Sequence, residues 1–405
     1  MEKTNKLGIC APKGFYANGL HCGIRKNKNK KDLSLIYSDS VCIAASCYTQ
    51  NKVKGAPIYV TKEHLKDNKA QAIIINSGNA NTCNANGIEI ANQMCELTAN
   101  ALNIKVEDII VASTGVIGEK LDITPIQKHI NPLVQGLSTN NSLAACEGIM
   151  TTDTTTKQFD TSFEIDGHIC HIGAIAKGSG MIHPNMATML AFVSSDIAIS
   201  EEMLIEVLHE VCNDTFNMVS IDGDTSTNDM LSILCNGKAN NPIIETKNPH
   251  YTLFKNALFK VCKDLSKAIA KDGEGATKLL TCKVVHAKCE KDAKAIAKSV
   301  IGSSLVKSAM FGNDANWGRI LCAIGYSDAN YDETTIDVSF ESNVGKIAVC
   351  KNAQGLVVDE ERALQILKAN EIIIHVNMNN GEATAESWGC DLTYEYVKIN
   401  GDYRT

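Results

Sequence analysis

KGSGMIHPNMATMLAF, residues 177–192, joins two strand-like runs through a turn dense in backbone-restricting residues. Gly178 and Gly180 open conformations closed to other residues. Pro184 fixes its own φ and biases His183 away from the helical region. Such a turn is sufficient to connect two strands and need do nothing else. Thr188 adds a chemical possibility, because it sits just after the turn and just before the apolar run at Leu190–Val193. An internal threonine hydroxyl is a poor nucleophile, with a very high pKa and no base beside it. If the peptide bond before it is cut, the new N-terminus carries an α-amine of pKa about 7.7–8.0. That amine can take the hydroxyl proton, which is the arrangement used for covalent catalysis by N-terminal threonine. The small Ala187 and the constrained Pro184-Asn185 suit a scissile bond pressed against an attacking hydroxyl.

Outward from this stretch, strand-like and helix-like segments alternate. The β-branched run Ala72–Ile75 leads into a polar loop at Asn76–Asn81 and a helix expected over Gly87–Leu102. The same grammar recurs with a strand at Asp108–Ala112, the loop Ser113–Gly118, and helices expected over Pro125–Leu133 and Ser142–Met150. A short helix is expected at Lys62–Asn68. Phe159–Ala176 alternates like a hairpin around Asp166-Gly167, and Glu201–Cys212 reads as an amphipathic helix capped by Ser200. Beyond the loop Asp222–Asp229, helices are expected at Tyr251–Ala270 and Lys291–Val300, and a loop at Phe311–Arg319. Strands are expected at Leu279–Val285, Lys346–Val349, Ile372–Val376 and Cys390–Val397. The class is therefore α/β or α+β. At 405 residues without a linker, two domains or two interlocked halves are expected.

The formal net charge of −7 argues against a nucleic-acid binder. The one basic run, Arg25–Lys31, is interleaved with asparagines and reads as a solvated loop. Sixteen cysteines include no CxxC pair, and His168 and His171 lack the cysteines that would complete a zinc site. The opening MEKTNKLG has no apolar stretch of signal type, and no run approaches a membrane span. A reducing cytoplasm is the expected location, with most cysteines serving as small core residues. GxxxxGK[ST], HExxH and GxSxG are missing, and the two GxG triplets at 178–180 and 273–275 lack the third glycine of a dinucleotide fingerprint.

The stretch at 177–192 closely resembles the autocleavage motif of the ornithine acetyltransferase family, the glutamate N-acetyltransferases of arginine biosynthesis. NSGNAN at 76–81, STGVIG at 113–118, MTTDT at 150–154 and DGDTSTND at 222–229 resemble that family too. So do DGEGATK at 272–278, FGNDANWGRI at 311–320 and YVKINGDYRT at 396–405, in family order over nearly the whole chain. The resemblance implies a layered αββα sandwich of the N-terminal-nucleophile kind. It implies a cut between Ala187 and Thr188, giving an α chain of 1–187 and a β chain of 188–405 that build one active site and assemble as α2β2. Thr188 would then take the acetyl group from N-acetylornithine, release ornithine and pass the acetyl to glutamate, with no cofactor and no metal. Acetyl-CoA is expected as a second donor, monofunctional transfer being the alternative.

By position in the motifs, Thr114 and Gly115 correspond to the family's oxyanion pair. Thr151, Lys177, Thr188, Glu274, Asn400 and Thr405 correspond to its substrate-binding residues, with Thr152 a rival to Thr151. Lys177 would meet a substrate carboxylate and Glu274 a substrate ammonium. The resemblance implies neither nucleic-acid nor membrane partners. Two competing readings stand beside it. One is a hydrolase with the same nucleophile, an N-terminal-threonine aminopeptidase or amidase, against which DGEGATK and the C-terminal motif speak. The other is a non-catalytic binding protein that stays one intact chain.

Overall fold

A computed structural model describes residues 7–183 and 189–402. They fall into two compact units. The first holds the chain up to Gly178, the segment ending at Asn213, and Thr225–Leu265. The second holds the segment beginning at Ser179, Asp214–Asp224, and the chain from Ser266 onward.

The strands begin with β1 (Phe15–Leu20), β2 (Leu33–Tyr48), β3 (Lys69–Asn79), β4 (Ile109–Val116), β5 (Lys157–Ile165), β6 (His168–Lys177) and β7 (Leu190–Ser195). After β8 (Val219–Ser220), which belongs to the second unit, comes β9 (Met230–Cys235). The helices among them are α1 (Ala56–His64), α2 (Gly87–Leu102), α3 (Thr124–Gln135), α4 (Ser142–Ile149), α5 (Glu201–Asp214) and α6 (Pro249–Lys271). The sheet of the first unit runs β4-β3-β2-β9-β7-β6-β5, with β1 also on β2. β3 and β4 are parallel, as are β7 and β9. β3, β4, β7 and β9 are buried on both faces, which accounts for their near-continuous apolar runs. Ile73, Ile75 and Ile110 face a core shared with Phe15, Phe192 and Ile149 of α4. Ile74, Ile109 and Val111 face the opposite way, onto Met94 of α2 and Ile126 of α3.

The second unit adds β10 (Leu279–Ala287), β11 (Asp337–Ser342), β12 (Gly345–Lys351), β13 (Gln354–Gly355), β14 (Glu371–Asn377) and β15 (Ala383–Cys390). Their order is β13-β12-β11-β14-β10-β15-β8. The accompanying helices are α7 (Glu290–Gly302), α8 (Ser304–Phe311), α9 (Trp317–Gly325), α10 (Glu360–Leu367) and α11 (Tyr394–Gly401). α7 packs on β10 and β15 through Ile296, Ala297, Val300 and Ile301. The fold is thus mixed α/β, two helix-bearing sheets, the class read from the sequence.

Several elements depart from expectation. β3 continues through the polar NSGN rather than ending at Ile75, because β4 runs beside it to Val116. The helix expected at Lys62–Asn68 starts earlier, with Pro57 in its first turn, where a missing N–H costs nothing. The loop expected at Phe311–Arg319 is shorter, since Asn316 Oδ1 accepts the Arg319 N–H and caps α9. The strand expected at Cys390–Val397 is instead the end of β15 followed by α11, whose Tyr394 and Val397 are 83% and 69% exposed. Alternation there reflects no buried face. All sixteen cysteines are free, and only Cys83, Cys289 and Cys322 are exposed. No helix of the described residues is long and apolar enough to cross a membrane.

Candidate active site

In the first unit, β3 and β4 end side by side, with Asn76 opposite Ser113, Ser77 opposite Thr114 and Gly78 opposite Gly115. Gly115 has φ +135°, and a Cβ on it would lie 2.3 Å from the Gly78 carbonyl carbon. Only glycine lets the two backbones approach this closely. Lys177, the last residue of β6 and itself buried, brings Nζ to 3.4 Å from Thr114 Oγ1. Asp153 anchors the neighbourhood. Its carboxylate accepts the N–H of Gly178 at 2.7 Å, the N–H of Thr151 at 2.9 Å and Lys157 Nζ at 2.7 Å.

The Lys157 and Asp153 side chains are only 1% and 0% exposed. Burial alone would raise the Asp153 pKa, but Lys177 and Lys157 outweigh it and hold the carboxyl well below the usual carboxylate range. Asp153 thus sits between two lysines, Lys157 paired to it directly and Lys177 acting through its field, and Lys177 also reaches Thr114. Asn228 braces the same loop. It donates Nδ2 to the carbonyls of Ala80 and Ser113 and accepts the Thr82 hydroxyl at 2.6 Å. Holding the Ser113 carbonyl fixes the peptide that presents Thr114.

In the second unit, the Glu274 N–H donates to the Ser179 carbonyl at 2.8 Å. Its carboxylate lies against Gly180, where a Cβ would come within 2.3 Å of Oε2. Asn400 of α11 donates Nδ2 to that oxygen at 2.8 Å. α11 reaches this position because Gly275, at φ +69°, has no Cβ; one would sit 2.6 Å from the Tyr396 nitrogen. Thr393 Oγ1 reinforces the contact by donating to the Gly275 carbonyl. The rest of DGEGATK is scaffolding. Asp391 accepts the N–H groups of Thr277 and Lys278, and Lys278 Nζ donates to the Met310 and Leu367 carbonyls near the ends of α8 and α10. A cation at two helix C-termini is well placed electrostatically.

Of the residues singled out from sequence, Thr114, Gly115 and Lys177 come together in the first unit, with Thr151 bound through its N–H to Asp153. Glu274 and Asn400 pair in the second. Ala187, Thr188 and Thr405 lie outside the described residues. Asp153 and Asn228, which brace these residues, were not singled out from sequence, although both lie inside quoted motifs. No group of three or more His, Cys, Asp or Glu among the described residues is suited to hold a metal ion.

The profile of the ArgJ family matches residues 16–405. The arginine biosynthesis bifunctional protein ArgJ 1 of Clostridium acetobutylicum is 50% identical over 406 residues, covering 100% of this chain and 99% of that protein. The arginine biosynthesis bifunctional protein ArgJ of Caldanaerobacter subterraneus subsp. tengcongensis is 47% identical, covering 97% and 98%. The crystal structure of the bifunctional protein from Bacillus halodurans aligns with a TM-score of 0.50 at 43% identity, covering 52% of this chain and 98% of that one.

Proposed function

The chain belongs to the ArgJ family and is an acyltransferase of arginine biosynthesis, and from that premise we propose that it cuts itself between Ala187 and Thr188 and carries acetyl groups on Thr188. The new α-amine accepts the Thr188 hydroxyl proton as the oxygen attacks the acetyl carbonyl of N-acetylornithine. The carbonyl oxygen becomes negative and is met by the Thr114 hydroxyl and the Gly115 N–H. Collapse breaks the C–N bond, the proton passes to the departing amine, and ornithine leaves. The amine of glutamate then attacks the acetyl-threonine ester, and N-acetylglutamate leaves with Thr188 restored. Acetyl-CoA serves as a second donor by the same route, its thiol being the leaving group. Two half-reactions through one ester give ping-pong kinetics.

The observation that carries this reading is the set of donors at the ends of β3 and β4, where Lys177 Nζ approaches Thr114 Oγ1 beside the buried Asp153–Lys157 pair. Lys177 binds a substrate carboxylate. Glu274, oriented by Asn400, binds an ammonium group, and Thr151 and Thr405 complete the substrate contacts. The Bacillus halodurans chain supports the cut, since 98% of it is matched by 52% of this chain, about the share that a break after residue 187 leaves. The two pieces remain together and pair as α2β2.

Mass spectrometry of the purified protein tests the proposal directly. Two fragments are expected, the second beginning at Thr188, and Thr188→Ala should remain one chain without acetyl transfer. A wild-type protein that stays full-length overturns the reading. Release of acetate without need of glutamate would instead indicate a hydrolase.

A further inference from the structure

We propose that Asp222 is a positioning residue for self-cleavage, its carboxylate holding the backbone of Met181 and Ile182 in a fixed left-handed turn ahead of the cut. The inference rests on the reading that the chain breaks before Thr188. Asp222 Oδ2 accepts the Met181 N–H at 2.5 Å and Oδ1 accepts the Ile182 N–H at 2.8 Å. One carboxylate therefore fixes two successive peptides. The carboxylate is itself held, by the Asp224 N–H at 3.2 Å and the Tyr396 hydroxyl at 3.3 Å.

Met181 adopts φ +56°, a conformation that non-glycine residues take at a cost. Packing does not impose it, because the Met181 side chain is 44% exposed. The hydrogen bonds to Asp222 do. The grip extends along the chain. The Ile221 N–H donates to the Ile182 carbonyl at 2.6 Å, and His183 Nδ1 meets Ser220 Oγ at 2.9 Å. Ser220 to Asp222 thus binds each of Met181, Ile182 and His183, and Asp222 alone does so through a side chain clasping backbone N–H groups.

In the cleavage itself, Thr188 Oγ adds to the Ala187 carbonyl carbon and the C–N bond breaks. The hydroxyl proton goes to the departing nitrogen, and water hydrolyses the resulting ester to the Ala187 carboxylate and free Thr188. Such an intramolecular attack depends on how often the chain occupies a near-attack geometry. Anchoring the preceding residues narrows the ensemble available to the scissile bond. After the cut these residues belong to the C-terminal tail of the α chain, and the chemistry of acetyl transfer no longer runs through them.

The test is a time course of cleavage during cell-free synthesis, followed by kinetics of the fully cut enzyme. Asp222→Asn keeps the shape but leaves one acceptor and turns the other end into a donor facing an N–H. Its cleavage should slow by about tenfold or more, while kcat for acetyl transfer by the matured enzyme at saturating substrate stays within about threefold and the melting temperature is little changed. Asp222→Glu, which keeps both oxygens, should recover part of the rate. Cleavage of Asp222→Asn within about twofold of wild type overturns the proposal, as does a parallel fall of cleavage, transfer and melting temperature. If Asp222→Asn does not fold, Tyr396→Phe decides, since it removes only the hydroxyl that supports Asp222; slower cleavage sustains the role and an unchanged rate ends it. A wild type that never cuts would remove the underlying reading, whereas a wild type that cuts no faster than Asp222→Asn removes only this role.

Discussion

Asp153 is surrounded by groups that replace the water it gave up: two backbone N–H groups, Lys157 and the field of Lys177. Its pKa is lowered despite burial, so its stabilising contribution has a definite sign. That contribution is complete above the unfolded carboxylate value of about 3.9 and is lost as pH falls through the lower folded value. Asp153→Asn removes the carboxylate that pairs with the buried Lys157, and breaking a buried pair from one side costs about 3–5 kcal/mol. Thermal melts should show the full gap between wild type and variant above about pH 4, narrowing only in stronger acid. Thr114→Ala addresses chemistry instead, and steady-state assays should find kcat reduced by about 10²–10³. Thr114, Gly115, Lys177, Glu274 and Asn400 were singled out because they lie at fixed places in recognisable motifs. Asp153 and Asn228 were not, because their importance comes from partners distant in sequence, such as Gly178 for one and Thr82 for the other.

α11 is a helix without a buried residue. Eight residues form a marginal helix in water on propensity alone. It is held mainly by polar contacts, Asn400 on Glu274, Tyr396 on Asp222 and Thr393 on the Gly275 carbonyl, together with an edge-to-face contact of Tyr394 with Phe311. Gly275→Ala puts a methyl 2.6 Å from the Tyr396 nitrogen and strains a positive φ. The expected result is faster hydrogen exchange over residues 394–401 and a raised KM for the amino-acid substrates, with the melting temperature little changed. The same polar character explains why a strand was expected here, since the residue pattern has no apolar face to set a helical period. Elements with one buried side were read well. α2 runs over the expected Gly87–Leu102, and the hairpin of β5 and β6 turns at Asp166-Gly167 with φ +48° and +80°.

The strand order of the first sheet could not be read from local pattern, because it is set by pairings far apart in sequence. Its centre is β9 and β7, which follow Thr188 in the chain, and on either side lie β2 and β6, which precede it. The absence of a linker agrees with that weaving, since neither half of the sequence owns a sheet of its own in this unit. A break before Thr188 leaves every one of these ladders in place, so the pieces stay joined without a covalent bond. It also changes the molecularity of folding. The uncut chain folds as one molecule, whereas the cut enzyme, once denatured, has to reunite two. Refolding of the mature protein should therefore slow on dilution, while Thr188→Ala refolds at a rate independent of concentration, as denaturant-jump kinetics over a range of protein concentrations would show. An enzyme cut in this way would inherit a structure that its separated pieces regain only by collision, and its lifetime would be set by the height of the unfolding barrier more than by the depth of the equilibrium well.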